Sequence, residues 1–199
     1  MSSRIEQYAM VGDTQTAALV GDDGSIDWMC APRFDSAACF AALLGDEDHG
    51  RWLIAPAAGG RAARRRYRDH TLVLETEFDT PEGSMRIIDF MPIRDKTVDM
   101  IRIVEGLHGH VPMQMHLTIR FDYGSIIPWV RNVHGALVGI AGPDALVLRT
   151  PVERRGARRS TVAEFTVRRG QRVPFALAWY PSHEEIPRPV NATWALERT

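Results

Sequence analysis

Glu75 and Glu77 are a pair of carboxylates whose spacing could serve hydrolysis of a glycosidic bond. That chemistry needs two carboxyl groups about 5–10 Å apart, one of them kept protonated by its surroundings. Because Glu75 and Glu77 are two residues apart, their side chains would lie on the same face of a strand, about 7 Å from each other. Because any acidic pair with this spacing passes the same test, we expect a solvated sheet face and predict no catalytic residue here.

Three histidines and two cysteines could provide a metal site or a nucleophile. His108 and His110 would lie on one side of an extended chain, and His116 follows them. A zinc site needs three or four ligands, and no cysteine or acidic pair is near these histidines in the sequence. Cys30 and Cys39 lack a CxxC spacing and a histidine placed to activate a thiolate. We therefore predict no metal, no cofactor, solvated or loop histidines, and two buried thiols.

The segment Arg61–Arg68 holds five arginines in eight residues, a composition that can bind nucleic acid. The whole chain, however, carries 24 basic and 25 acidic residues and a net charge of −1. No global field therefore favours nucleic acid or an anionic membrane as a partner. We interpret the segment as a charged edge strand that blocks unwanted strand pairing.

Alternation of apolar and polar residues dominates the chain and predicts half-buried strands. The longest such run extends from Met113 to Tyr123. Turn residues separate three further pairs of strand-like runs: Leu72–Phe78 and Met85–Phe90, Leu137–Ile140 and Leu146–Arg149, Val162–Val167 and Val173–Tyr180. This regular spacing predicts an all-β fold for residues 1–180, namely a large antiparallel β-sandwich of a dozen or more strands.

Two segments depart from the strand pattern. Ser36–Leu44 is rich in helix formers, with Asp35 or Ser36 as N-cap and Gly45 as a stop, and predicts one short helix near the N-terminus. Residues 181–199 have the composition of a linker and end in what reads as the start of a helix. An apolar stretch of signal-peptide length is missing at the N-terminus, and no apolar run reaches the ~18 residues of a membrane span. We therefore expect a cytoplasmic protein.

The order of motifs along the chain resembles the N-terminal, trehalase-like domain of glycoside hydrolase family 15, the glucoamylase- and trehalase-like bacterial enzymes with a supersandwich-like fold. The resemblance rests on a strand, an Asp-Gly-Ser turn, a strand bearing Asp-Trp and a Pro-Arg-Phe-Asp-Ser loop within Gly12–Gly45. It continues through four more segments: Tyr67–Phe78, Asp89–Pro92, Arg120–Tyr123 and Pro128–Val130.

The resemblance implies that this domain precedes a catalytic (α/α)₆ barrel, which carries the glutamate general acid and the general base. On that basis residues 181–199 would lead into an absent catalytic domain, and this chain alone would be inactive. The expected partner is the barrel and, through it, an α-glucan or trehalose. Self-association is left open, and nucleic acid and membrane are not expected.

The loop Pro32–Ser36, together with the nearby Trp28, is the candidate site. An arginine beside an aromatic is typical of an interface hot spot, and loops between elements often carry function. We expect it to lie at the interdomain boundary or active-site lip, with Arg33 and Asp35 hydrogen-bonded around a buried ring. The alternative is that these two residues pair and cap the following helix. The candidate residues are Trp28, Pro32, Arg33, Phe34, Asp35 and Ser36.

The second functional hypothesis is a stand-alone carbohydrate-binding module of the β-sandwich type. Tryptophan rings can form a flat platform against which sugar rings stack. The five tryptophans available for such a platform are Trp28, Trp52, Trp129, Trp179 and Trp194.

Overall fold

The computed structural model describes residues 4–199, which form fifteen antiparallel strands and one short α-helix at the C-terminal end. Short 3₁₀ turns occur at Ile5–Gln7, Ala42–Leu44 and Glu47–His49. The helix is α1 (Ala192–Arg198). The strands are β1 (Tyr8–Gly12), β2 (Ala17–Gly21), β3 (Ser25–Cys30), β4 (Ala38–Phe40), β5 (Arg51–Pro56), β6 (Arg64–Tyr67), β7 (Leu74–Thr80), β8 (Gly83–Phe90), β9 (Val98–Thr118), β10 (Trp129–Val133), β11 (Ala136–Ala141), β12 (Asp144–Arg149), β13 (Arg155–Ala157), β14 (Ser160–Arg168) and β15 (Arg172–Pro181).

Strand β9 is 21 residues long and belongs to both halves of the structure. Its C-terminal part pairs with β5 and β14 in sheet A, which also contains β1–β4 and β13. Its N-terminal part pairs with β8 and β15 in sheet B, which also contains β6, β7 and β10–β12. The two sheets are therefore one continuous antiparallel structure joined through a single strand.

The main hydrophobic core draws on both sheets, as expected of a sandwich. Sheet A contributes Val11, Trp52 and Met113, and sheet B contributes Ile87 and Phe175, all nearly or fully buried. The prediction of an all-β, antiparallel sandwich is confirmed. So are the hairpins β7–β8 and β11–β12 at the positions where turn residues separate the alternating runs.

The turn between β14 and β15 carries the chain from sheet A to sheet B. These strands flank the predicted turn, yet β14 pairs with one part of β9 and β15 with the other. The crossing packs the turn against Gly106, where a Cβ atom would lie 2.1 Å from the carbonyl oxygen of Arg168. Glycine is required at this position because the two backbones approach too closely for any side chain.

The outer face of sheet B is covered by the segment after β15. Ala195 and Leu196 of α1 pack against Phe90 and Ile101, and Ile186 packs on a neighbouring apolar cluster. The proline-spaced segment therefore contacts the sandwich, and α1 forms where the sequence indicates the start of a helix.

Two sequence-based expectations are wrong. The helix expected at Ser36–Leu44 is replaced by β4 and the 3₁₀ turn Ala42–Leu44, because the buried Phe40 packs in the core and pairs with Met29 of β3. Strand pairing thus overrides the helix propensity of the alanines. The strand expected to end at Tyr123 ends at Thr118, since Asp122 and Tyr123 adopt positive φ angles in a turn.

Arg102 of β9 is a fully buried charge that links the two sheets. Its Nε donates to Asp89 Oδ1 of β8 at 2.7 Å. The Nη1 group donates to the carbonyl oxygen of Trp52 in β5 of sheet A (2.9 Å), and Nη2 donates to that of Gly24 in the turn that leads into β3 (2.7 Å). The guanidinium also lies 5.2 Å from the centre of the Trp52 ring, within cation–π range. Hydrogen bonds and an opposite charge thus compensate for its removal from water.

We expect Asp89→Asn to lower the free energy of unfolding by about 3–5 kcal/mol, because it leaves the buried guanidinium without its counter-charge. Urea denaturation measures the change. The matched control is Asp35→Asn, which removes an exposed ion pair of similar length, 2.9 Å, and should leave the midpoint unchanged. Equal, small effects of both substitutions would contradict a central role for Arg102.

Candidate functional site

The loop Pro32–Ser36 lies between β3 and β4 and is fixed by backbone hydrogen bonds. The Phe34 amide donates to the carbonyl oxygen of Gln15 at 3.0 Å, and the Ser36 amide donates to that of Arg33 at 3.1 Å. Phe34 is 70% exposed, so the expectation of a buried ring is wrong. The structure thus presents an aromatic side chain to solvent on a hydrogen-bonded turn.

Arg33 and Asp35 pair with each other across this loop, a contact that both expectations include. Arg33 Nε donates to Asp35 Oδ1 at 2.9 Å, and both side chains are exposed. The hydrogen bond from Arg33 lowers the pKa of Asp35. The residues cap no helix, because β4 replaces the expected helix. The pair therefore shapes the turn that carries Phe34.

Trp28 lies beside the loop and is connected to it through Tyr123. The two rings are 6.0 Å apart, and the Tyr123 hydroxyl donates to the Ser36 carbonyl oxygen at 3.4 Å. Trp28 is half-buried against a small cluster that includes Cys30 and Ala38. The structure therefore brings Trp28 and Ser36 together, with Tyr123 as a neighbour that the alternation pattern placed on a buried strand face.

The neighbouring part of the same edge is held by Asp13 and Arg94. Arg94 Nε donates to Asp13 Oδ2 at 2.7 Å, and its Nη1 donates to Gln15 Oε1 at 3.1 Å. Asp13 Oδ1 accepts the amides of Gln15 and Thr16. Asp13 and Arg94 are 81 positions apart. No local pattern in the sequence indicates this pairing.

A depression of about 270 Å³ lies at this edge, lined by residues that include Gln15, Leu72, Ile93, Arg94 and Thr199. Ile93 is 80% exposed. We name the whole region the loop edge and define it by residues 13–15, 32–36 and 91–94 together with Leu72 and Thr199. It combines the exposed apolar side chains of Phe34 and Ile93 with the Asp13–Arg94 ion pair, in which Arg94 Nη2 is buried without a hydrogen-bond partner.

Glu75 is buried, whereas Glu77, on the same strand, forms an ion pair with Arg64. Glu75 is 3% exposed, so a solvated face is the wrong expectation for it. Hydrogen bonds and ion pairs with Arg66, Arg68 and Arg86, at 2.8–3.3 Å, overcome the effect of its burial and lower its pKa. A carboxyl held ionised in this way cannot act as the protonated acid of a glycosidase.

The Arg61–Arg68 segment contains β6 (Arg64–Tyr67), an edge strand that pairs only with β7 in the described chain. Its charges are matched locally, with Arg61 on Asp22 and Arg64 on Glu77. This placement confirms the interpretation as a charged edge strand. Neutralised arginines leave little positive potential for a polyanion.

The other sequence candidates are dispersed. Both thiols are buried and unpaired, and burial raises the pKa of Cys39. Within residues 4–199 no three histidine, cysteine or acidic side chains converge as a metal site. Trp52 is buried, whereas Trp129 and Trp194 are exposed, each beside an arginine. Within residues 4–199 no two tryptophan rings are in contact. No helix in the same range is long and apolar enough to cross a membrane.

The three arginines on Glu75 generate a pH-dependent contribution to stability. The pKa of Glu75 is lower in the folded state than its ordinary value of 4.5 in the unfolded chain. The contribution is therefore present above pH 4.5 and is lost as the pH falls through the pKa of the folded state. We expect Glu75→Gln to be destabilising at pH 7 and to approach wild type on acidification. Urea midpoints measured at pH 7 and at several pH values below 4.5 test this. A pH-independent difference would mean that packing, not charge, is the cause.

The chain is similar in sequence to several proteins named trehalase. It is 27% identical to the trehalase of Mycobacterium tuberculosis over 96% of this chain and 32% of that protein. It is 34% identical to trehalase 1 of Sulfolobus acidocaldarius over 64% of this chain and 22% of that protein. Trehalase 2 of the same archaeon is 33% identical over 60% of this chain and 19% of that protein. The chain thus spans about a third or less of the length of these relatives.

The family described as "Trehalase-like, N-terminal" matches residues 1–171, which is most of the chain. The match covers the strands that carry the loop edge as well as the buried Arg102 and Asp89. The resemblance seen in the sequence motifs is confirmed, and the chain belongs to the trehalase-like N-terminal domain family.

Proposed function

We propose that this chain is the non-catalytic N-terminal domain of a trehalase-like hydrolase of α-glucosidic bonds, and that it supports an (α/α)₆ catalytic domain docked on its loop edge. The observation that carries the proposal is the family match over residues 1–171. Relatives that include this region are named trehalases and are at least three times longer than the matched part. Residues 181–199 are then the connection to the catalytic domain.

The acidic residues of the domain support a non-catalytic role. Glycoside hydrolysis needs a protonated carboxyl beside an ionised one, both open to substrate. Burial raises the pKa of Asp99, but its carboxylate accepts a hydrogen bond from Thr97, and the residue is only 8% exposed. Glu75 is 3% exposed and is held ionised by arginines. Neither side chain offers substrate an acid in an open cleft.

The position of residue 199 supports docking at the loop edge. Thr199 lines the same depression as Gln15 and Ile93, so a polypeptide continuing from it would begin beside these residues. The carbonyl oxygen of Gln15 accepts a hydrogen bond from the Phe34 amide. The exposed side chains of Phe34 and Ile93 therefore both lie near Thr199. A catalytic domain that follows in the chain would therefore meet an apolar surface without a long linker.

We expect the purified chain to release no glucose from trehalose, maltose or soluble starch, because Asp99, whose pKa is raised, and Glu75, whose pKa is lowered, are both buried away from substrate. A coupled glucose assay with a trehalase as positive control measures this. Turnover that is lost in Glu75→Gln or Glu77→Gln would place the active site in this domain and overturn the proposal.

Docking can be tested with a trehalase-like catalytic domain, taken from the reading frame after codon 199 or from a mycobacterial relative. We expect Phe34→Ser combined with Ile93→Ser to raise the dissociation constant at least about tenfold, since interface hot spots contribute about 2 kcal/mol or more. Arg33→Ala should act in the same direction without moving the melting temperature of the domain. Isothermal titration calorimetry and thermal melts measure the two quantities.

The matched control for docking is Trp129→Ser, which removes a comparably exposed (68%) apolar side chain from β10. It should bind the catalytic domain as wild type does. If Trp129→Ser weakens docking and the loop-edge variant does not, the contact surface is elsewhere. Saturable binding of α-glucan by the isolated domain, with no docking, would favour the carbohydrate-binding alternative.

A further inference from the structure

A cavity of about 490 Å³ lies between the β10–β11 hairpin and the β13–β14 hairpin, away from the loop edge. None of its lining residues is acidic, although the whole chain has slightly more acidic than basic residues. We call it the arginine groove, after the five arginines that line it: Arg131, Arg154, Arg155, Arg158 and Arg159.

Most of this positive charge has no counter-ion. Among the described residues, Arg155 alone of the five has a carboxylate partner, Glu164, at 3.4 Å with both side chains exposed. Arg158 and Arg159 form the turn between β13 and β14, and within residues 4–199 their side chains make no hydrogen bond or ion pair. Such guanidinium groups are available to a ligand.

One arginine of the groove is preorganised. The Nη1 of Arg154 donates to the carbonyl oxygen of Thr150 at 3.1 Å, and its Nη2 donates to that of Gly135 at 2.5 Å. The charge is therefore fixed by backbone groups from two segments rather than neutralised. A fixed charge loses less conformational freedom on binding than a mobile one.

Arg120 adds a buried positive charge behind the groove. Its Nη1 donates to the carbonyl oxygens of Ile119 (2.7 Å) and Arg159 (3.2 Å), residues that themselves line the cavity. No carboxylate in the described chain lies within ion-pair distance of Arg120, which is 4% exposed. Asp48 acts on Arg120 electrostatically from beyond ion-pair distance, so the guanidinium is only partly compensated and adds to the positive potential at the groove.

The rest of the lining is apolar with a few neutral polar groups. Leu117, Ile119, Ile127, Pro128 and Leu137 supply the apolar surface. Hydroxyl and amide groups come from Asn132, Ser160 and Thr161. A predominantly apolar lining with a few convergent polar groups is typical of small-molecule sites, and the volume lies within their range.

We infer that the arginine groove binds a small organic phosphate, with the phosphate on the arginines and the body of the molecule on the apolar lining. Guanidinium forks match phosphate geometry, and a phosphate carries the two negative charges that several unpaired arginines require. A single carboxylate would be satisfied by one arginine. The concave shape favours a small molecule over the backbone of a nucleic acid. This proposal does not rest on the docking role, and either can fail alone.

The test uses the purified chain and trinitrophenyl-ATP, a nucleotide whose fluorescence rises in an apolar site. We expect saturable binding with a dissociation constant below about 100 µM, displaced by ATP and by glucose 6-phosphate but not by glucose. Arg158→Gln combined with Arg159→Gln should weaken binding at least about tenfold, because charge-assisted hydrogen bonds are removed. Arg131→Gln, on the opposite hairpin, should weaken it independently.

The matched control is Arg61→Gln combined with Arg64→Gln, which removes the same charge from exposed arginines of the Arg61–Arg68 segment. This variant should bind the probe within about twofold of wild type, since its arginines are already paired. Circular dichroism checks that all variants are folded. The proposal would be overturned by any of three results: no saturable binding of the probe, an equal loss of probe affinity in both double variants, or displacement of the probe by a glutamate-rich peptide but not by ATP.

Discussion

Arg102 donates hydrogen bonds to both sheets from a position without solvent access, and the sandwich is organised around that contact. A buried guanidinium is tolerated only where opposite charge and acceptors surround it, so β5, β8 and the turn at Gly24 must all be in place at once. The apolar core alone would accept many relative positions of the two sheets. The geometric demands of one five-donor side chain restrict them to the arrangement that also packs Trp52 beneath the charge.

The second constraint is the continuity of β9. This strand of 21 residues serves sheet B with one part and sheet A with the other, and it is the pairing partner of both β14 and β15, which follow it in the chain. Gly106 lies where the chain crosses between sheets, because only a residue without a side chain permits the contact with Arg168. The loops at the strand ends are consequently held on a rigid scaffold. Residues 32–36 and 91–94 meet at one edge although about sixty positions separate them, and Gln15 joins them by hydrogen bonds.

The sequence predicts those parts of the fold that depend on local pattern. Alternation with intervening turn residues is sufficient for the hairpins β7–β8 and β11–β12, since both strands and their turn lie within one short segment. It fails for the first part of β9, where Gly106 and Gly109 interrupt the alternation while neighbours on both sides maintain the pairing. It fails again at Ser36–Leu44, where tertiary burial of Phe40 outweighs helix propensity. At the candidate site the motif indicates the loop, but the exposure of Phe34 and the Asp13–Arg94 pair depend on contacts distant in sequence.

The two arginine clusters show why charge in a sequence is a poor guide to charge in a structure. In the sequence, the contiguous run Arg61–Arg68 is the more conspicuous of the two clusters. In the structure, however, Asp22, Glu75 and Glu77 neutralise much of its charge. The Arg65 guanidinium donates to the backbone carbonyl oxygens of Gln7 and Val20. The arginine groove is assembled from β10, the approach to β13 and the β13–β14 turn, so no short window reveals it. What distinguishes the two is the supply of carboxylates. The charges of β6 are compensated because it pairs with the acidic strand β7. The arginines of the groove lack such compensation because no acidic residue lines the cavity between the two hairpins. Binding capacity follows the uncompensated charge, which only the folded arrangement defines.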